Sequence, residues 1–172
     1  MKGYQRGMSR GAAARQDIVR RDIPIRNLAV TMTDATTAGS WGTAVVAGLP
    51  QGNILILGAV LSGMQLVKGN ANLIDAFVAT LALGSAPTAD ATLASGEVDI
   101  IPATAQSAAA SGTLSGARAA STATQNGVIL DNTDGSLELN LNVTVPDASS
   151  TANSSFTVNG TLHIAYIVLG DD

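Results

Sequence analysis

The sequence predicts an all-β fold: an antiparallel β-sandwich, jelly-roll-like, with an extended N-terminal arm. Three observations lead to this prediction. Short apolar segments and turns rich in Gly, Pro and Asn follow one another after residue 27, two segments near the carboxyl end alternate apolar with polar residues, and no segment predicts a long amphipathic helix. We therefore expect an arm at 1–27 and one sandwich domain at 28–172. An immunoglobulin-like sandwich is the competing architecture.

Several strands are predicted between short turns such as GLPQGN and KGNAN. The predicted strands are 28–33, 43–47, 53–61, 63–68, 73–83, 97–101 and 127–131. The small residues of 102–125 predict a short helix or a long loop instead. The clearest strand is SLELNLNVTV, in which Leu139, Leu141 and Val143 alternate with polar residues. This alternation predicts one buried and one solvated face.

The segment SFTVNGTLHIAYIVLG predicts the last strand, with Phe156 and Val158 on its buried face. Gly160 predicts a bulge or bend that divides this strand in two. The opposite face changes from Thr and Asn to apolar residues and ends at Ile167 and Leu169. Two explanations of this second apolar face stay open. Loops of the same chain cover it, or it is a subunit interface, for example in a symmetric trimer.

The composition favours a subunit whose surface is covered by partners. Only 13% of the residues are charged, against about 25% in ordinary soluble domains. There is no cysteine, which excludes disulfides and thiolate chemistry. The N-terminal charges are not followed by the apolar region of a secretory signal, and the apolar run 54–67 is too short to span a bilayer. We expect a soluble, non-secreted protein without a membrane partner.

The residues that could carry chemistry are few and scattered. His163 is the single histidine; it could serve as the base of a Ser-His-Asp triad, but its place inside a regular strand favours a solvated or hydrogen-bonded side chain. Glu97 and Asp99 could act as paired carboxylates, although a solvated edge strand is the favoured explanation. The acidic segment 131–135 lacks calcium-loop spacing and predicts a turn. We predict no catalytic, cofactor or metal site, and no enzyme. Trp41 is equally explained as an interface anchor and as a cap on the core.

The basic residues are concentrated at one end of the chain. Residues 1–26 hold seven of the nine Lys and Arg residues and two of the thirteen acidic ones, a net charge of +5 against −9 for the remainder. Such an arm can bind phosphates, dock on an acidic protein surface, or have no specific role. Its interspersed aliphatic residues favour a protein groove over nucleic acid. The predicted docking residues are Arg6, Arg10, Arg15, Ile18, Val19, Arg20, Arg21, Ile23, Ile25 and Arg26.

Several segments together resemble a known family. They are WGTAVVAGLPQGNILILGAV, TADATLASGEVDIIPAT, and DNTDGSLELNLNVTV followed by FTVNGTLHIAYIVLGDD. Across residues 41–172 the chain resembles the decoration (cement) proteins of tailed-bacteriophage capsids. This resemblance implies a β-sandwich or jelly-roll subunit, trimeric, that sits at junctions between hexamers and pentamers of the major capsid protein and clamps the expanded shell.

We therefore expect a non-enzymatic virion protein on the capsid surface, assembled in the host cytoplasm, with no cofactor. Its partners would be further copies of itself and the major capsid protein, on which the arm docks. Three alternatives stay open. They are a jelly-roll capsid protein whose basic arm binds the genome, a tail or fibre subunit with adhesive function, and a small hydrolase that uses His163.

Overall fold

The computed structural model describes residues 18–108, 117–120 and 128–170, and within them it confirms the predicted all-β fold. The strands are β1 (Val19–Asp34), β2 (Ser40–Gly48), β3 (Gly52–Lys68), β4 (Val78–Gly84), β5 (Ile101–Ser107), β6 (Ala117–Ala120), β7 (Val128–Asn132), β8 (Glu138–Val145) and β9 (Ser154–Gly170). Two single-turn 3₁₀ helices, Ser95–Glu97 and Asp147–Ser149, lie in the loops. The described residues form no α-helix.

All strand pairings are antiparallel, and the strands form one curled sheet with two layers. Layer A has the order β1-β9-β3, with β6 and β7 both paired to the far edge of β3. Layer B has the order β2-β8-β4-β5. The layers are joined where β1 pairs with β2, through only two residue pairs, Thr33 with Trp41 and Asp34 with Ser40.

The two layers enclose one apolar core, built largely from alternate residues of β1, β3, β4, β8 and β9. Leu139, Leu141 and Val143 of β8 are buried, as their alternation predicts. From β9 the side chains of Phe156 and Val158 enter the same core, and the Phe156 ring lies 5.6 Å from the ring of Phe77. Burying each such side chain stabilises the fold by about 1.5–3 kcal/mol.

Gly160 lies opposite two bulges. Strand β9 itself runs without interruption, so the prediction that Gly160 divides it is wrong. The irregularities lie instead in its two neighbours, because the pairing register of both β1 and β3 with β9 shifts next to Gly160. In β1 the shift includes Asn27, whose φ is +48°, and in β3 it includes Gly63, whose φ is +61°. A Cβ atom at Gly160 would lie 2.6 Å from the sulfur of Met64. The absence of a side chain therefore allows β3 to bulge over β9.

Some strand predictions need correction. The predicted strands 53–61 and 63–68 are the single strand β3, and the strand predicted at 73–83 begins only at Val78. Residues 97–100 are not in a strand; β5 begins at Ile101 and extends into the segment predicted as helix or loop. The sequence hides β5 because its small side chains, IPATAQS, show little alternation of apolar and polar residues.

The predicted boundary between arm and domain, at residues 27 and 28, lies inside β1. Strand β1 begins at Val19, which pairs with Tyr166, and continues through Ile25, which pairs with Gly160. Its charged residues and Pro24 resemble an arm in sequence, yet both are ordinary features of an edge strand. Residues 1–17 of the predicted arm at 1–27 lie outside the described residues.

Candidate functional site

The outer face of layer A carries a contiguous group of aliphatic side chains, two of them exposed and the others half-buried, which we call the apolar zone. On β3, Leu55 pairs with Ile167 of β9 on one side and with Ile129 of β7 on the other. The Ile129 side chain is 62% exposed. Because Val19 pairs with Tyr166, Ile18 lies at the level of Ile167, and it is 53% exposed. The members of the apolar zone are Ile18, Leu55, Leu57, Val60, Ile129, Ala165, Ile167 and Leu169.

Apolar residues on both faces of two neighbouring strands produce this zone. In β3 the run ILIL places Ile54 and Ile56 in the core, so Leu55 and Leu57, which alternate with them, lie on the outer face. In β9 the outward residues are Thr and Asn up to Thr161 and aliphatic from Ala165. The apolar zone therefore occupies one half of the outer face only, at the end where β1 begins.

A depression of about 330 Å³ lies at the border of the apolar zone. The register between β3 and β9 shifts between Ile56 and Gly58, and Gly58 then pairs with Ala165. These two small residues leave room that larger neighbours would fill. The lining residues are Arg20, Asp22, Leu57, Gly58, Ala59, Val60, His163, Ile164 and Ala165.

A row of three hydrogen-bonded polar side chains crosses layer A beside the depression. Nδ1 of His163 lies 2.6 Å from Oδ1 of Asp22 on β1, and its Nε2 lies 2.8 Å from Oγ of Ser62 on β3. The histidine is exposed and hydrogen-bonded, as its position in a strand predicts. The row has the connectivity of a Ser-His-Asp triad. A triad also requires oxyanion donors and a substrate pocket that reaches the nucleophile, and Ser62 does not line the depression.

The positive charges of β1 lack ion-pair partners within the described residues. The salt bridges found there are Lys68 with Asp75 and His163 with Asp22. Arg20, which lines the depression, therefore has no carboxylate partner among the described side chains. Arginine at such a position is suited to a bidentate contact with a carboxylate on another molecule.

An acidic turn lies at the same end of the molecule as the apolar zone. It follows β7, whose last residue pairs with the first residue of β3. Hydrogen bonds from the backbone N–H and the hydroxyl of Thr133 lower the pKa of Asp131. The backbone N–H and hydroxyl of Ser136 likewise lower the pKa of Asp134. The segment is the turn that its sequence predicts, and both carboxylates are ionised at neutral pH.

The predicted docking residues are separated by the structure. Ile18 is exposed, but Val19 and Ile23 pack against the core and Ile25 belongs to it, with 4% exposure. The prediction that Ile25 docks in a partner's groove is therefore corrected, because alternation in β1 turns this side chain inward. Arg20, Arg21 and Arg26 are exposed, whereas Arg6, Arg10 and Arg15 lie outside the described residues.

The predicted interface anchors lie far apart. Ile167 and Leu169 belong to the apolar zone, whereas the half-buried Trp41 pairs with Thr33 near the other end of β1. Fourteen residues separate Thr33 from Val19, a distance of about 45 Å along the strand. Ile129, the most exposed member of the zone, is missed by sequence reasoning because a short strand gives no sign of which face is covered.

Glu97 and Asp99 are not paired carboxylates. The Glu97 carboxylate accepts hydrogen bonds from the backbone N–H groups of Ala89 and Ala94, and Asp99 accepts bonds from the N–H and hydroxyl of Ser85. Each carboxylate therefore holds the 85–99 loop. No group of three or more metal-ligating side chains occurs in the described parts of the chain, and no helix there is long and apolar enough to cross a membrane.

No family model and no curated protein matches the chain. Among solved structures it is similar to a chain of infectious bursal disease virus, Gt strain, with 10% identity and a TM-score of 0.37 over 88% of this chain. A chain of the Gx strain matches 90% of this chain with 10% identity and a TM-score of 0.33. This chain covers 32% and 34%, respectively, of the length of those viral chains. Likeness at this level carries no information about function.

Proposed function

We propose that this chain is a non-enzymatic structural subunit of a tailed-bacteriophage virion, which binds the capsid surface as a homotrimeric decoration (cement) protein. The observation that carries the proposal is the apolar zone, from whose margin the basic N-terminal segment departs at Ile18. The resemblance of residues 41–172 to decoration proteins supports the same assignment.

An exposed aliphatic zone at the origin of a basic segment is suited to an assembly subunit. Single exposed aliphatic residues are common, but a contiguous group of them marks a surface that another protein covers. The low fraction of charged residues, 13%, favours the same role. A trimer multiplies modest contacts with a regular shell into stable binding. None of these features requires chemistry at His163.

The basic residues supply the contact with the shell. Residues 1–17 contain four basic residues and one acidic residue, and Arg21 and Arg26 of β1 are exposed. We propose that they bind carboxylates of the major capsid protein at the junctions between hexamers and pentamers, where arginine forms bidentate pairs.

Co-sedimentation with undecorated, expanded phage heads at physiological salt tests the proposal. Truncation at residue 28 is unsuitable because it removes half of β1, so full-length variants are compared. Replacing Arg6, Arg10 and Arg15 by Ser should weaken saturable binding strongly. Replacing the same three by Lys keeps the charge but loses the bidentate geometry, and should weaken binding less.

A second assay measures the retention of the full-length protein on DNA across a salt series. Phosphate binding falls by orders of magnitude between low and physiological salt. A protein that binds DNA in this way and ignores phage heads would contradict the proposal and favour a capsid protein whose arm binds the genome. A protein that binds neither, but adheres to host cells, would favour a tail or fibre subunit.

A further inference from the structure

We infer that the apolar zone is the surface through which two copies of this chain meet. The inference deepens the proposed function and rests on the self-association proposed there, because it names the contact surface. Three observations carry it: the contiguity of the aliphatic side chains, the charges at their border, and the character of the adjoining strand edge.

The aliphatic side chains form a surface rather than a scatter of exposed residues. Ile129, Leu55, Ile167 and Ile18 lie side by side across four adjacent chain segments, at one level of the strands. Two of them, Ile129 and Ile18, are more than half exposed. Such a row has no hydrogen-bond donors that could bind phosphate, and it is stabilised when another apolar surface removes it from water.

The charges at the border of the zone are complementary to those of a second copy. Arg20 and Asp22 are two residues apart in β1, so their side chains leave the same face of the strand, and both line the depression. Asp22 uses Oδ1 to bind His163, and Arg20 has no carboxylate partner among the described residues. In a symmetric contact, Arg20 of one copy can face Asp22 of the next. The interface then buries no unpaired charge.

The edge of β1 next to the apolar zone disfavours the alternative contact, in which two copies would pair strand to strand at their edges. From Val19 to Thr31, β1 pairs with β9 on one side and with no described strand on the other. This edge carries Arg21, Arg26 and Pro24, and charged residues and proline discourage strands from pairing edge to edge. Contact through the apolar zone on the face of the sheet avoids this edge.

Sedimentation velocity of the full-length protein, without phage heads, tests the inference. The wild-type protein should sediment as an oligomer. Ile129→Asp should raise the dissociation constant by about tenfold or more, because it places a carboxylate in an apolar contact. Ile74→Asp is the matched control, since Ile74 is also an exposed isoleucine but lies outside the zone. A monomeric wild type, or equal effects of the two substitutions, would overturn the inference.

A charge exchange tests the facing arrangement separately. Arg20→Asp should weaken association, because it sets two carboxylates against each other in the contact. Adding Asp22→Arg exchanges the two charges and should restore association above the level of the single variant. A double variant no better than Arg20→Asp would overturn the proposed pairing. Thermal melting of each variant confirms that the fold is kept.

These experiments distinguish a failure of this inference from a failure of the proposed function. An oligomer that dissociates through Ile129→Asp yet never binds phage heads would uphold this inference and contradict the decoration role. A monomer that saturates phage heads would do the reverse.

Discussion

The side chain of Asn142 should be among the most important polar groups for stability. Its position on β8 predicts a solvated residue, yet it is fully buried because the 85–99 loop covers this face of layer B. Its Oδ1 accepts hydrogen bonds from Thr43 Oγ1 and Thr88 N, both at 2.9 Å. Its Nδ2 donates to the carbonyl oxygens of Ala86 at 2.8 Å and Glu97 at 2.9 Å.

The expected effect of Asn142→Ala follows from these four bonds. A hydrogen bond contributes about 0.5–1.5 kcal/mol net, and a buried group left unpaired costs about 1–3 kcal/mol. Ala86 and Glu97 are only half-buried, so water can reach their carbonyl groups once the loop loosens. We therefore expect a loss of about 3 kcal/mol in the free energy of unfolding. For a chain of this size that corresponds to a fall of about 6–12 °C in Tm.

Urea unfolding and calorimetry measure this change, and Asn140→Ala is the matched control. Asn140 lies on the same face of the same strand and is also buried, but its side chain makes one local bond, to the carbonyl oxygen of Glu138. Its loss should cost about 1 kcal/mol. Equal losses in the two variants would refute the reasoning that Asn142 holds the 85–99 loop on the sheet.

Three further predictions concern the acidic turn, Gly160 and Ser62. The lowered pKa values of Asp131 and Asp134 mean that the stabilisation from their carboxylates is present above the unfolded value of 3.8 and is lost as pH falls through the folded values. The protection of amides in this turn, measured as hydrogen exchange relative to the intrinsic rate at each pH, should therefore fall at acid pH, and Asp→Asn variants should lack that dependence. Gly160→Ala should lower the free energy of unfolding in urea by about 1–3 kcal/mol, because the added Cβ would lie 3.0 Å from the Ser62 carbonyl oxygen. The control Gly48→Ala should be nearly neutral, because a Cβ at Gly48 would have no atom within 4 Å. A fluorophosphonate probe should leave Ser62 unmodified, and a labelled peptide would contradict the non-enzymatic assignment.

Strands in which apolar and polar residues alternate strictly are predictable from the sequence, but the loops that cover their outer faces are not. Leu139 and Phe156 face the core as expected, because a period of two is a property of the strand itself. The burial of Asn142 is not predictable in this way, because it depends on a loop about fifty residues earlier in the chain. The inward direction of Ile25 is missed because Pro24 and the neighbouring arginines resemble an unpaired arm.

The candidate site is predictable in part for the same reason. The change from polar to apolar residues along the outer face of β9 points to Ile167 and Leu169 as an exposed surface. The register that brings Ile18 and Leu55 beside Ile167 joins residues more than a hundred positions apart, and Ile129 joins them through its pairing with Leu55. Only the three-dimensional pairing of β1, β3, β7 and β9 makes them one surface.

The position of β9 between β1 and β3 affects the order in which layer A can fold during synthesis. Strand β9 separates β1 from β3, and it follows more than 150 residues of preceding chain. During synthesis, β1 and β3 therefore remain without their common neighbour until every other described strand has been made. Contacts between residues so distant in sequence form slowly, and waiting strands are prone to aggregate. The order of translation thus means that layer A can be completed only after all strands of layer B have been made.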